Sequence, residues 1–415
     1  MVSYDHFTLN NGLRFFVLHD PTTPMAAMNI LYNVGARDED PNRTGFAHLF
    51  EHLMFGGSIN IPKYDEPLQR AGGENNAFTN SDITNYYLTL PKDNLETAFW
   101  LESDRMLSLA FSEKSLEVQR QVVTEEFRQN YLNQPYGDVW LLLKPLAYKV
   151  HPYQWNTIGK EISHIENARL EDVKDFYLRF YNPNNALIVI AGDVKTNEVE
   201  RLAKKWFEPI ASGKPYERFL HTEPKQENAR RLEVKRDVPQ TALYKAYHMC
   251  ARADDKFYAS DLLSDLLGSG QSSRLFKTLV RQKQYFSEIN AFITGDIDPG
   301  LLIVTGKINK DVSVAEVEKA LENEIQKLIQ KPPTSAELRK VKNRVISSNI
   351  FWALSALNKA MNLAYYAHIG MPELINTVTN HYEKVKPTQI QQRAQEILNP
   401  ANCSTLVYES NNQVL

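Results

Sequence analysis

Strand-type and helix-type hydrophobic periods alternate along the chain. Met28 to Val34 and Tyr86 to Leu90 read as strands, whereas Asn94 to Leu109 and Ser115 to Asn130 have the spacing of amphipathic helices. Hairpin-like strands mixed with consecutive helices predict α+β domains rather than a doubly wound parallel sheet. The pattern also repeats. A helical stretch from Leu170 runs to Tyr181-Asn182-Pro183 and the strand Ala186 to Ile190; another from Pro387 runs to Leu398-Asn399-Pro400 and the strand Ser404 to Tyr408. Pro183 and Pro400 mark equivalent turns of the two stretches. Ala47 to Gly56 matches Ala259 to Gly268 at an offset of 212, close to that between the two prolines, each a helix closing at glycine. Two matches at nearly one offset predict an internal duplication. The expected fold is two homologous α+β domains, 1–215 and 225–415, each a mainly antiparallel sheet packed against helices. Polar Gly213 to Lys225, with Pro215 and Pro224, would join them.

Composition narrows the function without naming it. A chain of 415 residues exceeds what one core usually organises. Hydrophobic residues at 43% against 23% charged exclude a mostly disordered protein. A net charge of −3 is too balanced for binding dominated by nucleic-acid phosphates. No apolar run approaches a membrane span, and the N-terminus has neither the basic start nor the apolar stretch of a signal peptide. Cys250 and Cys403 cannot form a disulfide framework and are expected as free buried thiols. These features lean towards a cytoplasmic location.

The chemistry concentrates in one predicted helix. Residues 48 to 52 read His48-Leu49-Phe50-Glu51-His52. Histidines four apart project from one helical face and can share a metal, and Glu51 is close enough to polarise a metal-bound water from outside the ligand set. A catalytic zinc takes three protein ligands, so a third is needed elsewhere. On the helix Ser115 to Asn130, Val118, Val122, Val123 and Phe127 outline an apolar arc with Glu126 near its centre and Glu125 at its edge. A carboxylate inside a core-facing stripe is costly unless paired or metal-bound. Glu126 is therefore the candidate third ligand, and Gln119 on the same arc is a candidate supporting hydrogen-bond partner.

With His48, Glu51, His52 and Glu126 placed, the sequence resembles the pitrilysin/insulysin family of inverted-motif zinc peptidases. It is most similar to the short-chain branch that includes the mitochondrial processing peptidase β subunit and bacterial processing-protease-like proteins. The resemblance covers essentially the whole chain. It implies one Zn2+ per chain held by His48, His52 and Glu126, with Glu51 as general base. Many members carry a second glutamate where this chain has Gln119. Gly72 to Thr79, followed by Asp82 to Tyr87, resembles the family's active-site edge strand, where a substrate peptide adds as another β-strand. Asn76 and Ala77 would lie beside the substrate backbone.

At the offset of 212, Ser260, Leu263 and Ser264 replace His48, Glu51 and His52, so the second half has lost the metal site. In the family, that half supplies an arginine and a tyrosine that hold substrate. Arg281 matches the arginine, but the tyrosine spacing lands on Glu288, and Tyr285 stands three positions early. The resemblance therefore implies an endopeptidase of peptides or unfolded segments working in a two-subunit chamber. A homologous second subunit would supply the Arg/Tyr pair, with a homodimer as the alternative. The competing reading is a catalytically silent or partner-dependent scaffold subunit of the same fold.

Overall fold

The computed structural model describes residues 2–411. The first half contains β1 (Tyr4–Thr8), β2 (Arg14–His19), β3 (Met25–Tyr32), α1 (Phe46–Leu53), α2 (Asp65–Arg70), β4 (Glu74–Thr79) and β5 (Thr84–Pro91). It continues through α3 (Leu95–Leu107), α4 (Glu113–Phe127), α5 (Val139–Ala147), α6 (Ile162–Glu166), α7 (Leu170–Phe180), β6 (Ala186–Gly192) and α8 (Thr196–Trp206). The second half runs β7 (Arg230–Arg236), β8 (Ala242–His248), α9 (Phe257–Gly268), β9 (Phe286–Ile293), β10 (Leu301–Ile308) and α10 (Val314–Gln330). It ends with α11 (Ser335–Trp352), α12 (Ala356–His368), α13 (Leu374–Lys384), α14 (Pro387–Ile397) and β11 (Cys403–Ser410). No helix among the described residues is long and apolar enough to cross a membrane.

The two sheets confirm the duplication. Their orders are β1-β2-β6-β3-β5-β4 and β7-β11-β8-β10-β9. All pairings are antiparallel except β2 with β6 and β7 with β11, which occupy equivalent places. Apart from β1, which has no counterpart, each strand of the first sheet finds its equivalent in the second. β6 and β11 start at Ala186 and Cys403, each three positions after the proline of its Asn-Pro turn. The edge strands also match: Glu74-Asn75-Asn76-Ala77-Phe78 returns as Glu288-Ile289-Asn290-Ala291-Phe292. In both, the asparagine Oδ1 accepts the following alanine N–H, at 2.8 Å in β4 and 2.9 Å in β9.

The compact units do not follow the chain in two simple halves. The first comprises residues up to Arg128, Trp155–Leu220 and Ile350–Thr377; the second comprises Gln129–Gln154, His221–Asn349 and Val378 onward. The linker cut falls at Leu220/His221, inside the polar stretch read from the sequence. Two segments are exchanged across it. α12, from the second half, packs on β3, β6 and β2 of the first sheet, whereas α5, from the first half, packs on β11, β8 and β7 of the second. The two helices start at Val139 and Ala356, which keep the same separation as Ala186 and Cys403, so the exchange is reciprocal. Both strands at the centre of the first sheet, β3 and β6, are buried almost throughout, which requires cover on each face. In the second unit α9, α10 and α14 supply one core layer and α5 the opposite one, where Val139, Leu143 and Ala147 meet Ala242, Ala246, Ile303 and Leu406. Lys359 of α12 forms a largely buried ion pair with Asp20, which holds the Asp20 carboxyl down at about 2 against the cost of its burial.

Candidate metal centre

Helix α1 is short, and its two faces have different tasks. Phe46, Leu49, Phe50 and Leu53 repeat at helical spacing and are buried. Ala47 is buried as well, and the three polar positions, His48, Glu51 and His52, are turned away from the apolar face. Helix α1 lies against α4 and α7 and against β4 and β5. It thus sits between the helix that carries Glu126 and the edge strand.

His48 Nε2 and His52 Nε2 are 3.3 Å apart. Glu126 Oε2 lies 3.8 Å from the first and 3.6 Å from the second. These three residues are the one cluster of metal-ligating side chains found among the described residues. Tetrahedral zinc with Zn–N bonds of about 2.0–2.1 Å spaces its ligand atoms about 3.3 Å apart. The nitrogen separation matches this value and the carboxylate oxygen is a few tenths of an ångström wider, so the donor set fits zinc. Side-chain exposure rises from 14% at His48 through 25% at His52 to 35% at Glu126, leaving the cluster open on the Glu126 side. Burial, reinforced by neighbouring His52, holds His48 down at about 4. At neutral pH its imidazole is uncharged, as a metal ligand requires.

Glu51 stands outside the cluster and turns towards β4. Its Oε2 accepts a 2.5 Å hydrogen bond from Thr79 Oγ1. Burial raises the Glu51 carboxyl above the usual glutamate range, and the Thr79 bond pulls against that rise. Thr79 closes the Gly/Asn-rich strand but is not singled out by the sequence; no local pattern identifies a side chain whose partner lies on a separate, earlier element.

β4 is the outermost strand of its sheet, as the edge-strand reading expected. Asn76 is exposed and Ala77 half-buried, opposite Tyr87 and Tyr86 of β5. The apolar arc assigned to α4 needs correction. Val118 and Val122 are 48% and 45% exposed, and the buried face is Leu116, Val123, Thr124 and Phe127. Glu126 therefore sits at the border between the buried and open faces of α4. The candidate that lies beside the two histidines was reached through an arc drawn too wide, because periodicity gives spacing but not which neighbour covers a face. Gln119 shares that half-buried border.

In the second unit, Ser260, Leu263 and Ser264 are buried on α9. The two hydroxyls donate to carbonyls of their own helix, Lys256 O at 3.0 Å and Asp261 O at 2.8 Å. Arg281 is exposed on a π-helical turn, Phe276–Gln282, and donates to Gln271 Oε1 at 3.2 Å. Glu288 lies on β9 opposite Lys307 and forms a 3.0 Å ion pair with it. Cys250 and Cys403 are free.

Residues 14–156 match the family Insulinase (Peptidase family M16), and residues 167–345 match the family Peptidase M16 inactive domain. The chain is 34% identical over 349 residues to zinc protease PqqE of Helicobacter pylori, covering 82% of this chain and 78% of that protein. It is 24% identical over 379 residues to zinc protease YmxG of Bacillus subtilis, covering 89% and 90%. Among solved structures, a protease from Helicobacter pylori superposes with a TM-score of 0.92 at 30% identity, covering 99% of this chain and all of that one.

Proposed function

The chain belongs to the insulinase family of peptidases, family M16, and from that premise we propose that it is a zinc-dependent endopeptidase of peptides or unfolded polypeptide segments. The observation that carries the reading is the convergence of His48, His52 and Glu126 with an ionisable Glu51 beside them and an edge strand packed on the same helix. Bound zinc would supply Lewis acidity to water and to a peptide carbonyl. Glu51 takes the proton of the attacking water and passes it to the leaving amine, with Thr79 fixing the carboxylate. β4 receives the substrate backbone as an added strand, and Asn76 and Ala77 lie along that edge. The relatives named as zinc proteases support the metal assignment.

The test is zinc analysis of the purified chain with a fluorogenic-peptide assay, before and after chelation. Zinc at one equivalent and chelator-sensitive turnover are expected. Glu126→Ala should weaken zinc binding at least tenfold; full zinc occupancy in that variant would remove Glu126 from the ligand set.

Thr79→Val tests the base. A hydroxyl donor favours the charged carboxylate, so its loss raises the Glu51 pKa further. Activity requires ionised Glu51 and falls as pH drops through that pKa. The acid limb of kcat/KM should therefore move to higher pH, with activity on that limb falling about tenfold at a fixed pH. An unmoved limb would exclude Thr79 from this role.

A partner-dependent form of the same enzyme is favoured by Glu288. It stands where the family's tyrosine is expected, and its carboxylate can donate no phenolic hydrogen bond to substrate. In this reading, the chain supplies zinc and a homologous subunit supplies the Arg/Tyr pair. Purified chain should then bind zinc but turn over peptides weakly until the partner is added. Full activity of the chain alone, unchanged in Glu288→Tyr, would leave a homodimer as the working form.

A further inference from the structure

The first turn of α1 is held by a residue outside the metal cluster. The helix begins after Gly45, whose φ of 90° is left-handed. A Cβ there would lie 2.7 Å from Ile158 O and 2.7 Å from Ile165 Cδ1. Serine, threonine, aspartate and asparagine, the usual side-chain caps, are thus excluded at this position. The first-turn amides need an acceptor from elsewhere. Glu39 is that acceptor. Its Oε2 accepts Gly45 N–H at 2.9 Å and its Oε1 accepts Ala47 N–H at 2.8 Å, one oxygen for each donor. The residue is 6% exposed.

Both ends of the intervening loop are anchored. Trp155 Nε1 donates to Ala36 O at 2.7 Å, and Arg218 Nε binds Asp38 Oδ1 at 2.6 Å. At the other end, Thr44 N–H donates to His164 Nδ1 at 3.1 Å, and Thr44 Oγ1 accepts Lys160 N–H at 2.8 Å. Metal-ligating histidines are usually oriented by a hydrogen bond from their second ring nitrogen. Among the described residues His48 has none, since its buried Nδ1 meets no hydrogen-bond partner there. The direction of its imidazole therefore depends on where the backbone of the first turn lies, and Ala47, the residue Glu39 grips, immediately precedes it.

We propose that Glu39 is a positioning residue for the metal ligand His48, acting through the backbone of the first turn of α1 in place of a direct hydrogen bond to the ring. The proposal rests on the zinc reading above. The test compares wild type with Glu39→Gln by zinc affinity, measured against a competing chelator, and by the visible absorption of the cobalt-loaded protein. Glutamine offers one acceptor oxygen for two N–H groups and turns an amide donor against the other. Zinc binding should weaken about 10–100-fold, with shifted cobalt bands. Leu202→Ala, a core substitution on α8, should lower stability while leaving affinity and bands as in wild type. Wild-type affinity and bands in Glu39→Gln would overturn the proposal. Should that variant fail to fold, hydrogen exchange of the unaltered, metal-free protein decides. Gly45 and Ala47 amides should be protected as strongly as those in the middle of α1, and rapid exchange at these two would overturn it. Wild type that takes up no zinc would sink the zinc reading itself; wild type that binds zinc beside an indifferent Glu39→Gln would sink only the role of Glu39.

Discussion

Glu51→Gln is expected to leave zinc content unchanged and to lower kcat by about 10²–10⁴-fold. The basis is the separation of roles on α1. His48 and His52 join Glu126 in the ligand cluster, whereas Glu51, on the same face of α1, turns towards β4 and is held by Thr79. Glutamine has the same shape and keeps an oxygen for the Thr79 hydroxyl, so the fold of the site should survive. What it loses is the capacity to take a proton. Metal analysis beside single-substrate kinetics checks both halves of the expectation. Cleavage at the wild-type rate would remove Glu51 as the base; loss of zinc would move it into the ligand set.

The largest stability effect is expected at Glu102, inside α3. Arg105 is among the largest fully buried side chains, and Glu102 binds it twice, Nε to Oε2 at 2.7 Å and Nη2 to Oε1 at 2.6 Å. Tyr64 Oη adds a 2.5 Å bond to Glu102, and the guanidinium carbon lies 4.6 Å from each of the Tyr64 and Tyr86 ring centres. Arg105 Nη1 has no hydrogen-bond partner among the described residues and relies on these ring faces. Glu102→Ala strands the positive charge in the core, and breaking such a pair costs about 3–5 kcal/mol. Replacing both residues with methionine should be milder, because no charge remains unpaired. Urea denaturation of the single and double variants measures the difference; a double variant no more stable than the single one would refute the pairing argument. Tyr86 also stands opposite Ala77, so Glu102→Ala should raise KM as well.

Much of this was legible in the sequence because it depended on local spacing. Two histidines four apart on a helix must share a face, whatever surrounds the helix. The duplication was visible in repeated turns, and the sheets reproduce its offset. Less was legible where the partner is distant. Glu102 and Arg105 lie in a helix read simply as amphipathic, and their mutual pairing, enclosed by the rings of Tyr64 and Tyr86, explains two buried charges there. Val118 and Val122 fit a helical stripe but face outwards. Thr79 acts on α1 through one hydrogen bond and Glu39 on its start through two, and no periodicity encodes any of them. The apolar run of α5 announces burial without stating which sheet it covers, and here it covers that of the other half.

That exchange has a consequence for synthesis. A chain leaves the ribosome from its N-terminus, and the strands of the first sheet are all present once Gly192 has emerged. One layer over β3 and β6 is α12, which begins at Ala356. At about 5–20 residues per second, the interval is on the order of ten to thirty seconds. Throughout it, a face built from two of the most apolar strands in the molecule lacks its cover. The second unit has no such delay, because α5 is made before its sheet begins. Vectorial synthesis therefore separates the sheet of the half bearing the metal cluster from one of its covering layers by most of the second half, an exposure that a duplication without exchanged helices would not have created.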